Sequence, residues 1–291
     1  AVHSEDTGTI YIMGGSTSSP LPRTAPTYHS TGEVLRDTRT HPSTWWWSPM
    51  EQEMHVPREG AAAVLYNGTI YVVGGRKCRP NFLCIVSSGE SLRLKSRNGW
   101  AMLGQNMSVA RYEPAAAVMG DAMYVVGGRD KEFFRVQSGE RFDFLTLRWS
   151  ALPLMLAPGR AALTLMPYNG ALWLLSVNAT DTAHFSHEET AVLATALPAI
   201  ITIDLPPWVQ SFGRPGIVLI RNAMWIVGGA LCYSKVLLMH PYECVPPAGN
   251  VVVNLDSKRI IRASPPGILP EDRRTIFNAA TVDLGDTGIL S

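Results

Sequence analysis

No stretch of this chain is apolar for long enough to cross a membrane as a helix, which takes about 18 residues. The longest candidate, Ala191 to Leu205, is interrupted by Pro198 and Asp204. Charge is also scarce: 17% of residues are Asp, Glu, Lys or Arg, below the usual value of roughly a quarter. The 25 basic residues are balanced by 24 acidic ones, so bulk electrostatics do not point to nucleic acid. Such a composition suits a well-buried sheet protein, or one whose surface is covered by partners or glycans. Several catalytic signatures are missing too. There is no Gly-x-Ser-x-Gly elbow, no phosphate-cradling glycine loop and no nucleophile–base arrangement. The chain begins without an initiator methionine or a signal peptide, as a mature secreted chain or any fragment does.

What is present is a repeat. Gly68 to Arg76 reads GTIYVVGGR, an apolar, β-branched and aromatic run that stops at a glycine pair. Gly8 to Ser16 reads GTIYIMGGS, Asp121 to Arg129 reads DAMYVVGGR, Asn222 to Ala230 reads NAMWIVGGA, and Gly170 to Val177 is a weaker copy, GALWLLSV. The second glycine falls at 15, 75, 128 and 229, with Val177 in its place in the weak copy, so the period is 60, 53, 49 and 52 residues. Self-similarity at such a period fixes architecture before any motif is interpreted.

Each run is preceded by a second apolar segment: Ala61 to Val64, Ala115 to Val118, Ala161 to Leu163 and Gly216 to Val218. The dipeptides Asn67-Gly68 and Asn169-Gly170 reach φ > 0 cheaply, as a two-residue hairpin requires. Each copy therefore reads as two strands joined by a tight turn. Further along, Glu140 to Phe144 looks like a third strand, and Trp45, Trp100 and Trp149 mark a fourth. Ile70 to Val73 is apolar on both sides, which suits a strand sandwiched between neighbouring sheets rather than a half-buried one. The glycines end it where a side chain would collide or φ must turn positive. A four-stranded sheet repeated about every 50 residues, covered on both faces, is a propeller blade.

In this pattern of strand, turn, strand, Gly-Gly, third strand and Trp-bearing fourth strand, the chain resembles the kelch-repeat family over nearly its whole length. The resemblance implies an all-β, kelch-type propeller, a single domain over 1–291. Six blades of four antiparallel strands are expected, starting near 1, 57, 111, 159, 213 and 273. The sixth begins with Phe277 to Val282 and Gly285 to Leu290 and then stops, while Ala1 to Ser4 starts within a first strand. The expectation is a piece of a longer chain, incomplete at one or both termini, whose missing end supplies the remaining strands.

Four cysteines allow three pairings. Cys78 and Cys232 each lie three residues after a glycine pair, and Cys84 and Cys244 follow within the same loops. In a six-bladed ring, blades two and five are opposite, which favours Cys78–Cys84 and Cys232–Cys244 over cross-pairing. It also disfavours a shared zinc site. Four reduced thiols in a cytosolic propeller are the other reading. Three N-glycosylation acceptors, Asn67, Asn106 and Asn178, fall on expected turns or loops. Paired cysteines and loop sequons together point to an oxidising, secretory compartment.

Arginine recurs at the start of the first strands: Arg58, Arg111, Arg160, Arg214 and Arg274. First strands line a propeller's channel, and the kelch resemblance implies a ring of arginines able to hold acidic peptides. The plainer reading has each arginine bonded to the backbone of a neighbouring blade. Arg76 and Arg129, directly after the glycine pairs, are better placed to differ from blade to blade. Trp45-Trp46-Trp47 is the densest aromatic run, read either as packing or as a surface for protein or sugar. The loop Cys232 to Cys244 is apolar for a loop and would form a contact surface.

Copper oxidases of the galactose-oxidase type share the wider fold. They need a tyrosine joined to a free cysteine, a second tyrosine and two histidines. Tyr28, His29, His240 and Tyr242 are the only nearby pieces, and the cysteines are committed elsewhere. His184, His187, Glu188 and Glu189 fit a solvated loop better than a metal site. The reading is a secreted or cell-surface kelch propeller without a cofactor: a non-enzymatic binding or structural module for protein or glycan partners, within a larger extracellular assembly. The rivals are a propeller enzyme (copper oxidase or sugar epimerase) and an intracellular kelch scaffold. No cullin-adaptor domain supports a ubiquitin role.

Overall fold

The computed structural model describes residues 1–4, 7–17, 26–36, 46–78, 84–153, 163–168, 170–176, 192–195, 200–202, 216–220, 223–227, 231–233, 243–245, 250–254 and 259–264. Its extended elements begin with β1 (Val2–Ser4), β2 (Thr9–Met13), β3 (Ser16–Thr17), β4 (Thr27–Tyr28), β5 (Gly32–Arg36) and β6 (Trp46–Pro49). The first sheet has the order β1-β2-β5-β6, and β3 pairs with β4 as a separate ribbon. β7 (Ala62–Tyr66), β8 (Thr69–Val73), β9 (Gly89–Arg93) and β10 (Ala101–Met102) make the second sheet. β11 (Ala115–Met119), β12 (Ala122–Val126), β13 (Gly139–Asp143) and β14 (Arg148–Ala151) make the third. The fourth joins β15 (Leu163–Tyr168), β16 (Ala171–Ser176), β17 (Val192–Thr195) and β18 (Ile200–Thr202). β19 (Gly216–Ile220) and β20 (Ala223–Val227) continue through the ribbon of β21 (Leu231–Tyr233) and β22 (Glu243–Val245) into β23 (Asn250–Asn254) and β24 (Arg259–Ser264). The fifth sheet is β19-β20-β23-β24.

Among the described residues there are thus five four-stranded sheets, and every defined strand register is antiparallel. The segment expected to open a sixth, from 273 onward, lies outside the described residues. The chain divides into two compact units, Ala1–Leu172 and Trp173–Ser291. The first holds sheets one to three, and the second holds sheet five.

Sheet two shows why these residues form this element. Tyr66 pairs directly with Thr69, leaving Asn67 and Gly68 as the whole turn, at φ 46° and 66°. On β8, Ile70 and Val72 join a cluster with Val2, Met54, Leu92 and Trp100, on the side of sheet one. Val73 joins the cluster of Met107, Met123 and Phe142 on the side of sheet three, and Tyr71 packs against it. Both faces are buried, as the uninterrupted apolar run requires. Each such side chain contributes about 1.5–3 kcal/mol by leaving water.

The glycine pair is a contact point between sheets. Gly74 and Gly75 have φ of 71° and 88°. A Cβ on Gly74 would lie 2.6 Å from the Arg111 carbonyl oxygen, and one on Gly75 would lie 2.9 Å from that of Glu59. The Gly75 N–H donates to the Arg111 carbonyl at 2.8 Å, and the Gly15 N–H donates to that of Arg58 at 2.7 Å. The end of one sheet's second strand therefore receives the main chain that leads into the next sheet.

The same arginines act again through their side chains. Arg58 Nη1 donates to the Gly74 and Ser88 carbonyls at 2.8 and 2.9 Å. Its Nη2 donates to Ser88 Oγ at 3.0 Å and to Glu90 Oε1 at 3.1 Å. Arg111 repeats this set on Gly127, Ser138 and Glu140, at 2.8 to 3.2 Å. The carboxylates also accept from the approaching backbone: His55 and Val56 N–H on Glu90, Ser108 and Val109 N–H on Glu140. Burial pushes both guanidinium pKa values down, and the glutamates only partly restore them.

Two expectations are corrected here. Arg58 and Arg111 are 1% and 0% exposed and cannot line a ligand ring. Nor do their side chains bond a neighbouring sheet: they bond their own, while their carbonyl oxygens hold the preceding one. The tryptophan series also shifts. Glu33, Glu90 and Glu140 pair with Pro49, Met102 and Ala151. Two residues before these partners stand Trp47, Trp100 and Trp149, so the repeat tryptophan of sheet one is Trp47, not Trp45. The indoles of Trp100 and Trp149 donate to the carbonyls of Gln52 and Gln105 at 3.3 and 3.2 Å.

Candidate functional site

In a four-stranded antiparallel sheet, the loops between strands two and three emerge at the end where the glycine pairs sit. In sheets two and three these loops differ, and they build a side-chain cluster that spans both sheets. Backbone bridges extend the sheets past the glycines: Arg76 bridges Glu59 and Ile85, and Arg129 bridges Tyr112 and Arg135. Arg76 and Arg129 thus occupy one repeat position, and Glu59 and Tyr112 another.

Side chains at these positions interlock across the two sheets. Arg76 Nε donates to Glu59 Oε2 at 2.8 Å, and its guanidinium lies 4.4 Å over the Tyr112 ring. Burial works against this charge, but the hydrogen bond to Glu59 and the Tyr112 and Glu59 electrostatics outweigh it and raise the pKa. Tyr112 in turn meets Phe133 with centroids 5.8 Å apart. Arg129 lies 5.9 Å over the Phe133 ring and donates to its carbonyl at 3.3 Å. Cation–π contacts of this kind contribute roughly 0.5–2 kcal/mol each.

Asp130 sets the tip of this structure. Its Oδ1 accepts from the N–H groups of Glu132 and Phe134 at 3.1 and 2.8 Å, while its own N–H donates to the Phe134 carbonyl at 2.9 Å. Phe133 consequently adopts φ 67°, a left-handed conformation that costs a bulky residue roughly 1–2 kcal/mol. The outcome is that Phe133 is turned onto Tyr112 while Phe134 stands out, 70% exposed. In sheet two the equivalent loop is closed differently. Cys78 and Cys84 form a disulfide with Cα atoms 5.4 Å apart, and the Lys77 N–H donates to the Cys84 carbonyl at 3.1 Å.

The remaining candidates are spread out. Asn67 is exposed in the β7–β8 turn, at the opposite end of sheet two, whereas Asn106 is exposed on the segment leading into sheet three. Cys232 and Cys244 stand directly opposite each other in the β21–β22 register. Trp46 belongs to β6, and Trp47 is 48% exposed. Arg160, Arg214, Arg274, Trp45 and Asn178 lie outside the described residues, as do His184, His187, His240 and Tyr242. His29 Nε2 is 3.1 Å from Thr17 Oγ1. Sequence reading missed Glu90, Glu140, Tyr112 and Phe133. A signal for the glutamates existed: Ser88-Gly89-Glu90 and Ser138-Gly139-Glu140 recur with the repeat, and Thr31-Gly32-Glu33 is their counterpart.

Comparison with known proteins agrees with this architecture. A Kelch motif family model matches residues 110–156, which span sheet three and the arginine leading into it. The match is to a kelch motif over one repeat, and the likeness to kelch-repeat proteins rests on it together with the relatives below. Among curated proteins, the chain is similar to Beta-scruin of Limulus polyphemus, 28% identical over 195 residues, covering 61% of this chain and 20% of that protein. It is also similar to the Kelch-like protein terF of Aspergillus terreus, 30% identical over 120 residues, covering 41% of this chain and 24% of that protein. The chain therefore spans about a fifth to a quarter of these relatives' length. The solved structure of YjhT superposes with a TM-score of 0.59 over 88% of this chain and 80% of that one, at 15% identity, a likeness of fold alone. No helix among the described residues is long and apolar enough to cross a membrane.

Proposed function

We propose that this chain is a non-enzymatic, kelch-type protein-binding module that meets its partner through the loops after the glycine pairs of sheets two and three. The observation that carries this reading is Phe134, held 70% exposed by the Asp130 turn beside a stack of buried Arg76 and Tyr112 and half-buried Phe133 and Arg129. An aromatic side chain fixed in the open by a preorganised loop loses little entropy when it is buried by a partner, which is how interface anchors gain their weight. A photo-crosslinking residue at Lys131 in cells that make the protein tests this. The expected result is a discrete crosslinked protein that disappears in Phe134→Ala while the thermal midpoint is unchanged. Undiminished crosslinking in Phe134→Ala would sink the assignment.

The site of action in this proposal is the secretory pathway or the cell surface, within a larger extracellular assembly whose partners are proteins or their glycans. Exposed sequons at Asn67 and Asn106, the Cys78–Cys84 pair and the facing positions of Cys232 and Cys244 support it. Mass measured with and without reductant and glycosidase decides between this and an intracellular scaffold: no shift with either reagent would overturn it. Metal analysis tests the enzyme alternative, because stoichiometric copper in the purified protein would favour an oxidase.

A further inference from the structure

The tryptophans of sheets two and three hold equivalent places but are not equally covered. Trp100 donates its indole N–H to the Gln52 carbonyl and is 5% exposed, inside a cluster with Val2, Met54, Ile70 and Leu92. Trp149 donates to the Gln105 carbonyl at 3.2 Å and meets the Phe142 ring with centroids 5.0 Å apart, yet it is only half-buried. Leu103, two residues before Gln105, packs on the same cluster as Trp149. The indole is thus fixed by the linker at its N–H edge and by Phe142 beside it. Part of the ring stays open to solvent next to the segment that carries Gln105.

The residue after each accepting carbonyl differs between the two linkers. In the one leading to sheet two it is Glu53. In the one leading to sheet three it is Asn106, which opens the sequon Asn106-Met107-Ser108. Met107 is 3% exposed and sits in the apolar cluster, while Asn106 and Ser108 on either side of it are exposed. The backbone here is held firmly: the Met107 N–H donates to the Ser87 carbonyl at 3.0 Å, and the Ser108 N–H to Glu140 Oε2 at 2.7 Å. We propose that an N-linked glycan on Asn106 is a built-in part of the joint between sheets two and three, its first N-acetylglucosamine lying on the open part of the Trp149 indole. A pyranose ring presents C–H groups on one face, and their slight positive charge suits the electron-rich face of an indole. The rigid attachment point, one residue from the carbonyl that holds Trp149, keeps the ordering cost of this contact small. Glu53 can bear no such sugar, and Trp100 is already covered by protein. Sugar of this kind is attached in the secretory pathway, so the assignment rests on the location proposed above.

Hydroxyl-radical footprinting of the intact chain, secreted by a eukaryotic host, tests this contact. Trypsin separates the readouts, since residues 98–111 carry Asn106 and Trp100 and residues 149–160 carry Trp149. Asn106→Gln and, independently, Ser108→Ala remove the sugar at exposed positions. Both are expected to raise oxidation of Trp149 about twofold or more and to leave Trp100 unchanged, since only the half-open ring gains access. Their thermal midpoints are expected to fall by roughly 2–4 °C. Asn67→Gln is expected to leave the oxidation of both tryptophans as it was. A glycosylated Asn106 with equal Trp149 oxidation in every variant overturns the proposal and leaves the secretory location standing. So does an effect of Asn106→Gln that Ser108→Ala fails to reproduce, because the asparagine itself is then the cover. Bare Asn106 beside a glycosylated Asn67 has the same consequence. No glycan at either sequon, with no mass change on reduction, removes both readings together.

Discussion

Sheets one and two have nearly the same sequence at their centres, TIYIM in one and TIYVV in the other, and opposite fates for their side chains. In sheet two the residues facing sheet one are sealed: Ile70 at 0%, Val72 at 2% and Glu90 at 0% exposure. In sheet one Ile12 and Glu33, at the matching positions, are open. What covers Glu90 is the linker into sheet two. Sheet two is approached by Met54 to Arg58, which carries its own cation and three hydrogen-bond donors to satisfy a buried carboxylate. A glutamate at this position is consequently neither intrinsically buried nor intrinsically exposed. Around Glu90 the environment is set by that linker, through the His55 and Val56 backbone and the Arg58 side chain.

The comparison can be broken most severely by Arg58→Ala. This leaves the Glu90 carboxylate without its guanidinium, under a covering linker where water cannot replace it. The expected loss is about 3–5 kcal/mol, read from urea unfolding. Glu33→Gln in the same assay should cost less than about 0.5 kcal/mol, as surface substitutions usually do. Replacing Arg58 and Glu90 together by Met and Leu should cost less than Arg58→Ala alone, because no charge is then stranded.

A smaller effect is expected at the glycines. Gly74→Ala must both hold φ at 71° and fit a Cβ 2.6 Å from the Arg111 carbonyl, so about 2–3 kcal/mol is expected. Gly68→Ala has a similar φ, 66°, with no atom within 4 Å, and should cost only about 1 kcal/mol. Equal losses at the two sites, measured by chemical denaturation, would show that backbone strain alone matters and that the contact with the next sheet does not.

The smallest effect concerns the turn between the third and fourth strands of sheet three. There the Asp143 carboxylate accepts from the Thr146 and Leu145 N–H groups, the Thr146 hydroxyl and Arg141. The Thr146 backbone bond comes first among the causes that hold its pKa below the ordinary 3.8. A depressed carboxyl pKa contributes stability that is present above 3.8 and is lost as pH falls through the lower folded-state value. Asp143→Asn should flatten the stability profile in that acid window and leave it unchanged near neutrality. An unaltered acid limb in thermal melts would show that the turn bonds do not couple to folding.

Much of this fold could be read directly. The Asn67-Gly68 turn, the two-faced burial of Ile70 to Val73 and the glycine stop all follow from local chemistry, and local chemistry is visible in a sequence. The site was legible only in part. Arg76 and Arg129 were noticed because they follow the glycines, but Tyr112 comes from the segment leading into the next sheet and meets Arg76 only in three dimensions. Phe133, in the same loop as Arg129, is set against Tyr112 only by the Asp130 turn. Arg58 and Arg111 were visible as a repeat, yet their burial was not, since an arginine with a hidden partner looks the same in one dimension as an arginine in water. Trp47 was passed over for Trp45 because spacing to a glycine pair is elastic, whereas strand register is not.

The residues by themselves determine the repeat unit, because strand propensity, turn dipeptides and conformational demands at glycine act over a few neighbours. They also place the Cys78–Cys84 pair within one loop and Asn67 in a hairpin turn. Tertiary structure alone decided which repeat positions are buried and which stay exposed. That choice depends on desolvation, and desolvation is a property of what packs against a side chain rather than of the side chain itself. Glu90 is part of the core because the linker from Met54 to Arg58 packs on it and supplies its hydrogen-bond donors.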